Sequence, residues 1–535
     1  MKFESEIIVV NNIKLPINAS FEEAFSVARK KLSGLVSLNG AEFSIFRRSI
    51  DARRKDNIFF VYSVAVKISG RAPSEEKLKS RGASLIRHNT PKFKTGEELL
   101  SSPPVVVGSG PAGLFCALVL SELGYKPVLL ERGPCVKERL AAVEAFKNLQ
   151  ILDPNSNIQF GAGGAGTFSD GKLVTRVNDP LTSYVLERFV EFGAPSEIKY
   201  IAKPHVGTDI LSSIVDRVLN RICELGGKVH YNTEFISPIC DLGRVVGVKT
   251  SKGNIPAGAL ILAIGHSARD THTRLISENM AIEAKSFSVG MRIEHLAKMI
   301  DESMYGAFAG CEALGHAEYN LSHNTKERGV YTFCMCPGGE VVPAASEIGG
   351  VVVNGMSYHS RSGKNSNSAV VCSVFKEDYG GSPLSAIEFQ RRIEQAAYKS
   401  RSSYSAPIIT VGDFLHDRLS SEPSDVQPTY MNGRCVHLAS PYDYLPAFVC
   451  DAIKGALIDF DKKIHGFASQ SAILTGAETR TSSPVRMLRD NSSRLAIGYS
   501  NLYPAGEGAG YAGGITSAAI DGIKTAIAVI SRYKP

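Results

Sequence analysis

Residues 103–133, PPVVVGSGPAGLFCALVLSELGYKPVLLERG, constrain the fold more than any other part of this 535-residue chain. A short apolar run leads directly into the spacing G-x-G-x-x-G, formed by Gly108, Gly110 and Gly113. An apolar stretch of helical length follows, and a second short apolar run ends in Glu131. This order of strand, glycine-rich turn, helix, strand and acid predicts a β-α-β unit that binds a dinucleotide.

Each glycine of the turn has a physical role in such a site. Gly108 permits the tight turn, Gly110 lets a pyrophosphate approach the backbone, and Gly113 lets the helix pack close to the strand. The first amides of the helix and the positive end of its dipole then face the phosphates. The acid Glu131 is expected to accept hydrogen bonds from a ribose diol and to repel a 2′-phosphate. The predicted cofactor contacts in this unit are Gly108, Ser109, Gly110, Pro111, Ala112, Gly113, Glu131 and Arg132.

The first 70 residues predict a small β-α-β-β unit. EIIVVNNIKLPI is typical of a strand or hairpin, and SFEEAFSVARKKLSG of a helix with Ser20 as N-cap and Glu23 completing a capping box. Two further strand-like runs, AEFSIFRRSIDAR and NIFFVYSVAVKI, flank a charged turn. Residues 71–103 have weak periodicity, many charges and two prolines near their end, so we predict a linker or wrapping segment there.

Composition and targeting patterns exclude several classes of protein. The chain is 44% hydrophobic and 21% charged, which is typical of globular proteins and not of disordered, collagen-like or coiled-coil chains. Ten cysteines without a repeating framework indicate reduced thiols, and the first residues, MKFESEII, carry acids where a signal peptide is apolar. The charge-free stretch between Glu98 and Glu122 contains prolines and glycines that suit a membrane helix poorly. We therefore expect a cytoplasmic protein without a membrane anchor.

The C-terminal segment YPAGEGAGYAGGITSAAIDG resembles the second FAD fingerprint of the glutathione-reductase-type flavoproteins. In that family a strand ends in an acidic residue and a Gly-Gly turn opens the final helix. Glu507 stands here in place of the family's usual Asp. The resemblance implies that the turn at Gly506 and Glu507 binds the ribityl chain, and that the amides of Gly514, Ile515 and Thr516 face the flavin pyrimidine edge. A helix N-terminus at that edge would stabilise the negative charge of reduced flavin.

Two further segments match elements of the same family. ALILAIGHSARDT looks like a buried strand running into an A-T-G-type turn, which implies cofactor contacts at Ala263 and Gly265. GAGGAGTFSDGKL also satisfies G-x-G-x-x-G, but no apolar strand precedes it, so we do not expect a second nucleotide fold. In related flavoproteins a loop at this position lies beside the pyrophosphate and the isoalloxazine, which implies contacts at Gly163 and Gly164. The alternative is a plain loop.

Five short sequence segments indicate a more specific family within these flavoproteins. GTFSDGKL, IGHSARDT, FCMCPGGEVV, NGMSYHSR and ETRTSSPVR together look like an uncharacterised family of bacterial FAD-dependent dehydrogenases with the same appended N-terminal domain. The resemblance covers nearly the whole chain and implies FAD as cofactor. Neither a second strand-G-x-G-x-x-G-helix unit nor a C-x-x-x-x-C motif after the glycine-rich helix is present. Electrons must then come from the substrate itself, from transiently bound NAD(P)H or from a redox-protein partner.

The fold class expected from these patterns is α/β. It consists of a doubly wound, Rossmann-like FAD-binding domain with an inserted α+β cap or substrate domain and a small N-terminal β-α-β-β domain. The predicted boundaries are 1–95 for the basic N-terminal domain and linker, 96–275 for the first part of the FAD-binding domain, 276–479 for the cap domain, and 480–535 for the C-terminal part of the FAD-binding domain.

Four residues are candidates for chemistry beyond the cofactor. His266 directly follows the third matching turn and is a candidate base near the flavin, and Tyr511 is a candidate for lining the flavin pocket. Cys334 and Cys336 stand two apart on a probable strand, so their thiols are expected to share one face as a redox pair. The alternatives are structural: a histidine whose hydrogen bonds are all made within the protein, a packed tyrosine and two small buried side chains.

Three arginines are candidates for binding a substrate carboxylate or, alternatively, for forming structural ion pairs: Arg292, Arg361 and Arg480. We predict no metal site, since an isolated C-x-C is too little for zinc.

The net charge of +7 is confined to the N-terminal part of the chain. Residues 1–95 contain 18 Lys and Arg against 9 Asp and Glu, whereas the rest of the chain contains 42 against 44. A basic β-α-β-β module can bind RNA, but the aromatic residues here fall at the period-2 positions of a small core, and no RNP-like motif is present. We therefore expect no nucleic-acid partner.

These observations together predict an FAD-dependent oxidoreductase, specifically a dehydrogenase. The expected reaction transfers a hydride between a small organic substrate and flavin N5. Two alternatives stay open: a flavin-dependent nucleic-acid-modifying protein that uses the basic N-terminal domain, and a protein in which FAD is a structural or sensing ligand. The motifs specify neither the substrate nor the oligomeric state.

Overall fold

The computed structural model describes residues 5–70, 72–88, 93–175, 179–420 and 422–535. The strands in these residues are β1 (Ser5–Pro16), β2 (Glu42–Asp51), β3 (Phe59–Lys67), β4 (Ala83–His88), β5 (Glu98–Leu99), β6 (Val105–Val107), β7 (Val128–Leu130), β8 (Lys228–His230), β9 (Phe235–Asp241), β10 (Arg244–Thr250), β11 (Gly253–Pro256), β12 (Leu260–Leu262), β13 (Ile282–Ala284), β14 (Phe287–Leu296), β15 (Ser322–Asn324), β16 (Gly329–Cys336), β17 (Glu340–Pro343), β18 (Val353–Met356), β19 (Asn365–Val374), β20 (Ala406–Thr410), β21 (Val436–Leu438), β22 (Ile473–Glu478), β23 (Val485–Met487), β24 (Leu502–Pro504) and β25 (Tyr533–Lys534). The α-helices are α1 (Phe21–Leu32), α2 (Glu75–Ser80), α3 (Pro111–Glu122), α4 (Val136–Leu149), α5 (Leu181–Glu191), α6 (Thr208–Glu224), α7 (Arg269–Ser277), α8 (Ala297–Tyr305), α9 (Lys376–Tyr379), α10 (Pro383–Lys399), α11 (Val411–Leu415), α12 (Ala447–Lys463) and α13 (Ile515–Arg532). The mixed α/β class expected from the sequence is confirmed.

One compact unit is formed by the described residues of 1–92, 176–205 and 298–317. Its antiparallel sheet has the strand order β2-β3-β1-β4, and α1 packs against β1 through a buried apolar stripe. The element order β-α-β-β agrees with the sequence prediction. The capping box also forms as predicted, since the Glu23 amide donates to Ser20 Oγ at 3.3 Å and the Ser20 amide donates to Glu23 Oε2 at 2.7 Å.

The prediction of a linker or wrapping segment over residues 71–103 is wrong for residues 75–88. Helix α2 and strand β4 lie there, and β4 pairs antiparallel with β1 at the edge of the sheet. The strand was missed because ASLIRH is short, ends in basic residues and shows no extended period-2 pattern. Its formation is driven by β1, whose second edge would otherwise leave a row of backbone groups unpaired. Residues 71 and 89–92 of that stretch lie outside the described residues.

The second unit is formed by residues 93–175, 206–297 and 318–535. It contains a five-stranded parallel sheet in the order β24-β12-β6-β7-β8. The strands are only three residues long, and β6, β7, β12 and β24 are buried along their whole length, which explains their uninterrupted apolar sequences. Helices α3 and α13 pack closely against each other, since a Cβ at Gly522 would collide with the Ala112 carbonyl oxygen.

The same unit contains a larger sheet of seven strands, in the order β15-β16-β19-β14-β22-β20-β21. Its centre is the antiparallel pair β14 and β19, which are hydrogen-bonded along ten residues each and almost completely buried. Helix α12 contacts β14, β16 and β19. This sheet positions Arg292 on β14 and the two cysteines at the end of β16.

The charge-free stretch before Glu122 is divided between β6 and α3, as its glycines and prolines indicated. None of the helices in the described parts of the chain has both the length and the apolar character needed to cross a bilayer. The predicted domain boundaries remain predictions.

Candidate functional site

The glycine-rich turn after β6 meets the turn after β12. Gly108 has φ of +95°, and a Cβ there would collide with the Ala263 carbonyl oxygen. A Cβ at Gly113 would collide with the Gly108 carbonyl oxygen. These two glycines therefore have the roles that the sequence predicted, a tight turn and close packing of the helix. Gly110 differs, because its φ is −67° and a Cβ there would come no closer than 3.9 Å to a described protein atom, Gly164 Cα.

The second glycine-rich segment, residues 161–166, lies directly against this turn. A Cβ at Gly164 would come within 2.9 Å of Gly110 Cα, and the Gly163 amide donates to Ser109 Oγ at 3.3 Å. The loop continues into a short 3-10 helix at Ala165–Phe168. Segments that the sequence singled out separately are thus brought together at one edge of the parallel sheet.

Glu131 connects the two glycine-rich segments. Its Oε2 accepts from the Ser109 amide at 3.1 Å and from Ser109 Oγ at 2.5 Å. Its Oε1 accepts from the amides of Gly133 at 2.9 Å and Gly161 at 3.2 Å. All four lone-pair directions of the carboxylate are therefore occupied. The predicted contact with a ribose hydroxyl remains a prediction, and it requires one donor to be replaced; the rotatable hydroxyl of Ser109 is the donor that can turn away.

Arg139 on α4 is a buried residue that the sequence did not single out. Its guanidinium, 1% exposed, lies over the Phe168 ring at 4.7 Å. It donates to four carbonyl oxygens, those of Asn157 at 3.0 Å, Ile158 at 2.8 Å, Ala162 at 2.7 Å and Gly164 at 2.9 Å. Burial lowers the pKa of Arg139 to about 9, with Glu131 acting in the opposite direction. Arg139 therefore orders the glycine-rich loop. Nothing in VKERLAAVEAFKNL distinguishes it from a surface arginine of an amphipathic helix.

The turn after β24 completes the same edge of the sheet. A Cβ at Gly508 would come within 2.6 Å of the Gly265 amide nitrogen, so this turn lies against the turn after β12. The Gly506 amide donates to Asp521 Oδ2 on α13 at 2.7 Å. Burial raises the pKa of Glu507 to about 7, and Lys285 opposes that shift. Near neutral pH a substantial share of Glu507 is therefore protonated and can donate a hydrogen bond as well as accept one.

Helix α13 begins at Ile515, with Gly514 as its N-cap. Thr516 Oγ1 donates to the Leu173 carbonyl oxygen at 2.7 Å, which joins the start of α13 to the segment that follows the glycine-rich loop. A Cβ at Gly513 or Gly514 would meet no described atom within 4 Å. The backbone at Gly513 and Gly514 is therefore open where a side chain would project, next to the start of α13.

The residues at this edge fit FAD. Two helices, α3 and α13, start at glycine-lined turns where the backbone is open to a ligand, at Gly110 and at Gly514. Within the described residues, the buried Thr167 Oγ1 has no hydrogen-bond partner, and a Cβ at Gly163 would collide with it. A buried hydroxyl without a partner is costly, and a phosphate or ribityl oxygen would satisfy it.

His266 follows the β12 turn, as expected. Its Nδ1 lies 2.8 Å from Ser267 Oγ, which in turn lies 3.2 Å from Gln159 Oε1. Burial, together with the positive charges of Arg480 and Arg269, lowers the pKa of His266 to about 3. The imidazole is therefore neutral at physiological pH. A base with so low a pKa captures protons weakly, which favours a role in hydrogen bonding over one in proton abstraction.

A titration of the histidines checks this protonation state. We expect the ring nitrogen resonances of His266 to stay those of a neutral imidazole from pH 8 down to pH 5, because its folded-state pKa lies below that range. Nuclear magnetic resonance of protein with ¹⁵N-labelled histidine measures this, and the variant His266→Asn assigns the signal. A midpoint between pH 6 and 7 in the signal that this variant lacks would contradict the prediction.

Beside His266 lies a buried network of two arginines and a glutamate. Arg269 donates to Glu394 Oε2 at 2.8 Å and Oε1 at 2.7 Å, and Arg480 donates to the same oxygens at 3.0 and 3.2 Å. The other two candidate clamps are also in ion pairs, Arg361 with Asp170 and Glu318, and Arg292 with Glu478. The structural alternative stated for these three arginines is therefore the one observed.

Tyr511 and Arg132 contact charged side chains. The Tyr511 ring lies under the Arg489 guanidinium at 3.6 Å, and its hydroxyl oxygen accepts from the Arg489 amide at 3.3 Å. Arg132 pairs with Asp270 at 2.7 Å and lies over the Phe160 ring at 4.5 Å. Their predicted contacts with the flavin and the cofactor remain predictions.

The regular strand expected around Cys334 and Cys336 is interrupted. The register between β16 and β19 shifts between Phe333 and Cys336, and Cys334 has φ of +46°. Within this bulge the Cys336 thiol donates to the Cys334 carbonyl oxygen at 3.3 Å.

Basic residues of the N-terminal strands β1 and β2 and of the turn after β2 form contacts within their own unit. Asp51 accepts from Arg53 and Lys14, and the Arg48 guanidinium lies over the Phe60 ring at 4.8 Å. Phe60 and its neighbour Tyr62 are buried. The interpretation of the strand aromatics as a small core therefore holds for Phe60 and Tyr62, whereas Phe46 is 38% exposed.

Comparison with known proteins adds to this geometry. Residues 286–481 match the family model described as FAD-dependent protein, C-terminal domain-like, and residues 7–67 match a domain of unknown function (DUF8436). The first match identifies the cofactor as FAD, in agreement with the expectation from the sequence.

The chain is similar to solved structures only at low sequence identity and low TM-score. Glycine oxidase from Bacillus cereus ATCC 14579 is 10% identical, with a TM-score of 0.30 over 80% of this chain and 94% of that chain. L-proline dehydrogenase from P. horikoshii is 13% identical, with a TM-score of 0.33 over 81% of this chain and 93% of that chain.

A full-length relative shows the family. An uncharacterized protein of Clostridium beijerinckii (strain ATCC 51743 / NCIMB 8052) is 44% identical over 534 residues, which cover 98% of this chain and 99% of the relative. The chain therefore belongs to the same protein family as this Clostridium beijerinckii protein, and it carries a region that matches FAD-dependent proteins.

Proposed function

We propose that this protein is an FAD-dependent dehydrogenase of the glutathione-reductase-type, Rossmann-like class, which transfers a hydride between a small organic substrate and flavin N5. The observation that carries the proposal is the meeting of three glycine-rich segments, after β6, at residues 161–166 and after β24, with the turn after β12 at one edge of the parallel sheet. In a parallel sheet this edge is where nucleotide ligands bind. FAD supplies a two-electron acceptor there.

The chain's own groups then have separate tasks. The amides at the start of α3 hold the pyrophosphate, and the amides at the start of α13 stabilise negative charge at the pyrimidine edge of the flavin. Glu507, whose pKa burial raises to about 7, hydrogen-bonds the ribityl hydroxyls. His266, neutral and hydrogen-bonded to Ser267, orients substrate or flavin without carrying a charge. The substrate is a small molecule, and the other half-reaction uses a transient partner, NAD(P)H or a redox protein.

Flavin bleaching tests the proposal. The purified protein is expected to contain FAD, and anaerobic addition of the right donor to bleach its absorbance. A panel of amino acids, hydroxy acids, amines, NADH and NADPH supplies the donors. The variant Glu507→Gln, which keeps the shape but removes the acid, is expected to bind FAD more weakly. Absence of flavin from the protein, together with no binding of added FAD, would refute the proposal. Bound flavin that no donor reduces would instead favour FAD as a structural or sensing ligand.

A further inference from the structure

Three side chains form a hydrogen-bonded series beside the turn after β12: Gln159, Ser267 and His266. The direction of each hydrogen bond follows from its end at Ala344. Gln159 Nε2 lies 3.5 Å from the Ala344 carbonyl oxygen, which can only accept. The amide nitrogen of Gln159 therefore points toward Ala344, and its oxygen Oε1 faces Ser267 Oγ at 3.2 Å. Ser267 has one hydroxyl proton, and it donates that proton to Gln159 Oε1.

This direction determines the tautomer of His266. Its Nδ1 lies 2.8 Å from Ser267 Oγ, whose only proton is donated to Gln159. The hydroxyl oxygen can then only accept from His266, so Nδ1 carries the proton. At pH 8 even an ordinary imidazole is neutral and has a single N–H. The second ring nitrogen, Nε2, therefore has a lone pair and accepts hydrogen bonds.

Gln159 is held in place by the segment around it. Asn157 Oδ1 accepts from the Gln159 amide at 2.9 Å, and Arg139 donates to the Asn157 carbonyl oxygen at 3.0 Å. Gln159 is 5% exposed and Ser267 is 6% exposed. If the Ser267 hydroxyl turned toward His266, the buried Gln159 Oε1 would lose its donor, which costs free energy. The environment of Gln159 therefore favours one direction of the whole series.

The other side of the His266 ring reaches open space. His266 is partly exposed, and no group in the described part of the chain hydrogen-bonds its Nε2. This nitrogen is also not fully buried. A Cβ at the adjacent Gly265 would meet no described atom within 4 Å. A ligand group with an O–H or N–H fits the lone pair of Nε2, whereas a carboxylate or ketone oxygen would face it with lone pairs of its own.

We propose that Gln159 and Ser267 are positioning residues that hold His266 as its Nδ1–H tautomer, so that Nε2 is a hydrogen-bond acceptor toward the bound ligand. The hydroxyl of Ser267 transmits the orientation of the Gln159 amide to the imidazole. No proton is transferred in this arrangement. That the ligand at Nε2 is the substrate of a dehydrogenase rests on the proposed function, whereas the tautomer does not.

The test is nuclear magnetic resonance of the full-length, FAD-loaded protein with ¹⁵N-labelled histidine at pH 8. Correlations between the carbon-bound ring protons and the ring nitrogens distinguish a protonated nitrogen from one with a lone pair. The variant His266→Asn assigns the signals. In the wild type we expect the proton of His266 on Nδ1 and the lone pair on Nε2. A free neutral imidazole prefers the Nε2–H form, so the expected pattern requires the contact with Ser267. A wild-type His266 with its proton on Nε2 would overturn the proposal.

Variants of Gln159 test its role as a positioning residue. Gln159→Leu removes the acceptor, which frees the Ser267 proton for donation to His266 Nδ1. The ratio of Nδ1–H to Nε2–H is expected to fall at least ~10-fold, since one hydrogen bond sets the preference. Gln159→Glu keeps an acceptor for Ser267 and is expected to retain the Nδ1–H form. The control Gln427→Leu changes an exposed glutamine that donates to carbonyl groups of its own segment, and it is expected to leave the wild-type spectrum unchanged.

Ser267→Ala provides a second route to the same answer if Gln159→Leu does not fold. It removes the acceptor of the Nδ1 proton, and the Nε2–H form of His266 is expected to become populated. An unchanged Nδ1–H ring in the folded variants of both positions would contradict the proposal. These spectra follow the imidazole and not the reduction of flavin, so their result is separate from that of the bleaching test.

Discussion

Gly110→Ala is expected to weaken FAD binding by about 10- to 100-fold while the protein stays folded. A Cβ at this position meets no described atom closer than 3.9 Å, and φ of −67° suits alanine. The same Cβ would occupy the start of α3, where the pyrophosphate is expected to contact the backbone. The loss of one hydrogen bond to a charged group costs about 1.5–3 kcal/mol, which corresponds to that range of affinity. Loss of glycine as N-cap costs the fold at most ~1 kcal/mol.

Titration of the apoprotein with FAD measures the affinity, and circular dichroism during unfolding measures the stability. Gly455→Ala is a matched control, because Gly455 is exposed on α12 and its added Cβ approaches only His323, at 4.0 Å. It is expected to leave FAD affinity unchanged and to raise stability by about 0.5–1 kcal/mol. Gly113→Ala is expected to impair folding itself, since its Cβ collides with the Gly108 carbonyl. Unchanged FAD affinity in Gly110→Ala would contradict the assigned position of the pyrophosphate.

Glu394→Gln is expected to lower the free energy of unfolding by about 3–5 kcal/mol at pH 7. Glu394 is 1% exposed and accepts two hydrogen bonds from each of Arg269 and Arg480. The neutral amide would leave two buried guanidinium groups without their main counter-charge, and breaking a buried ion pair in this way is costly. Glu347 compensates only partly, because it is itself 30% exposed and also pairs with Arg391.

The pH dependence of this effect has a definite sign. Burial alone would raise the pKa of Glu394, but Arg269 and Arg480 outweigh burial and hold it below its ordinary value. The stabilisation is therefore complete above the unfolded pKa of 4.5 and declines as pH falls through the folded pKa. The difference between wild type and Glu394→Gln is expected to be largest at neutral pH and to shrink in acid.

Urea unfolding at pH 7 and at pH 4 measures the free energy of unfolding of the wild type and of Glu394→Gln, and so tests both the size of the effect and its pH dependence. Glu388→Gln is the control, since Glu388 lies on the same helix but forms a more exposed ion pair with Arg391 at 3.0 Å. Its removal is expected to cost less than ~1 kcal/mol. The prediction fails if Glu394→Gln stays within ~1 kcal/mol of the wild type at pH 7.

The parts of the fold that follow local rules were predictable. Gly108 and Gly113 are required by a turn and a close approach within a few residues, and Ser20 with Glu23 forms its capping box within one helical turn. The all-apolar runs at Val105–Val107 and Leu260–Leu262 indicated buried parallel strands before any pairing was known. Structural features formed by residues close together in the chain can be recognised from the local sequence pattern.

The features that were missed depend on partners far away in the chain. Arg139 binds carbonyl groups 18 to 25 residues away, and Arg269 meets Glu394 at a separation of 125 residues. Neither arginine differs in local pattern from a solvent-exposed one. The irregular backbone at Cys334 is set by its register with β19, so the alternation of a regular strand, on which one shared face for Cys334 and Cys336 was expected, does not apply there.

The contact between Thr516 and Leu173 spans 343 residues, and it has a consequence for the order of folding. During synthesis, α3 and the first glycine-rich turns leave the ribosome long before β24 and α13 exist. Until then the parallel sheet lacks its β24 edge, and the apolar surface of α3 lacks the helix that covers it. We therefore expect the nascent chain to gain the flavin only at a late stage. A chain truncated before β24 would expose apolar surface that promotes aggregation.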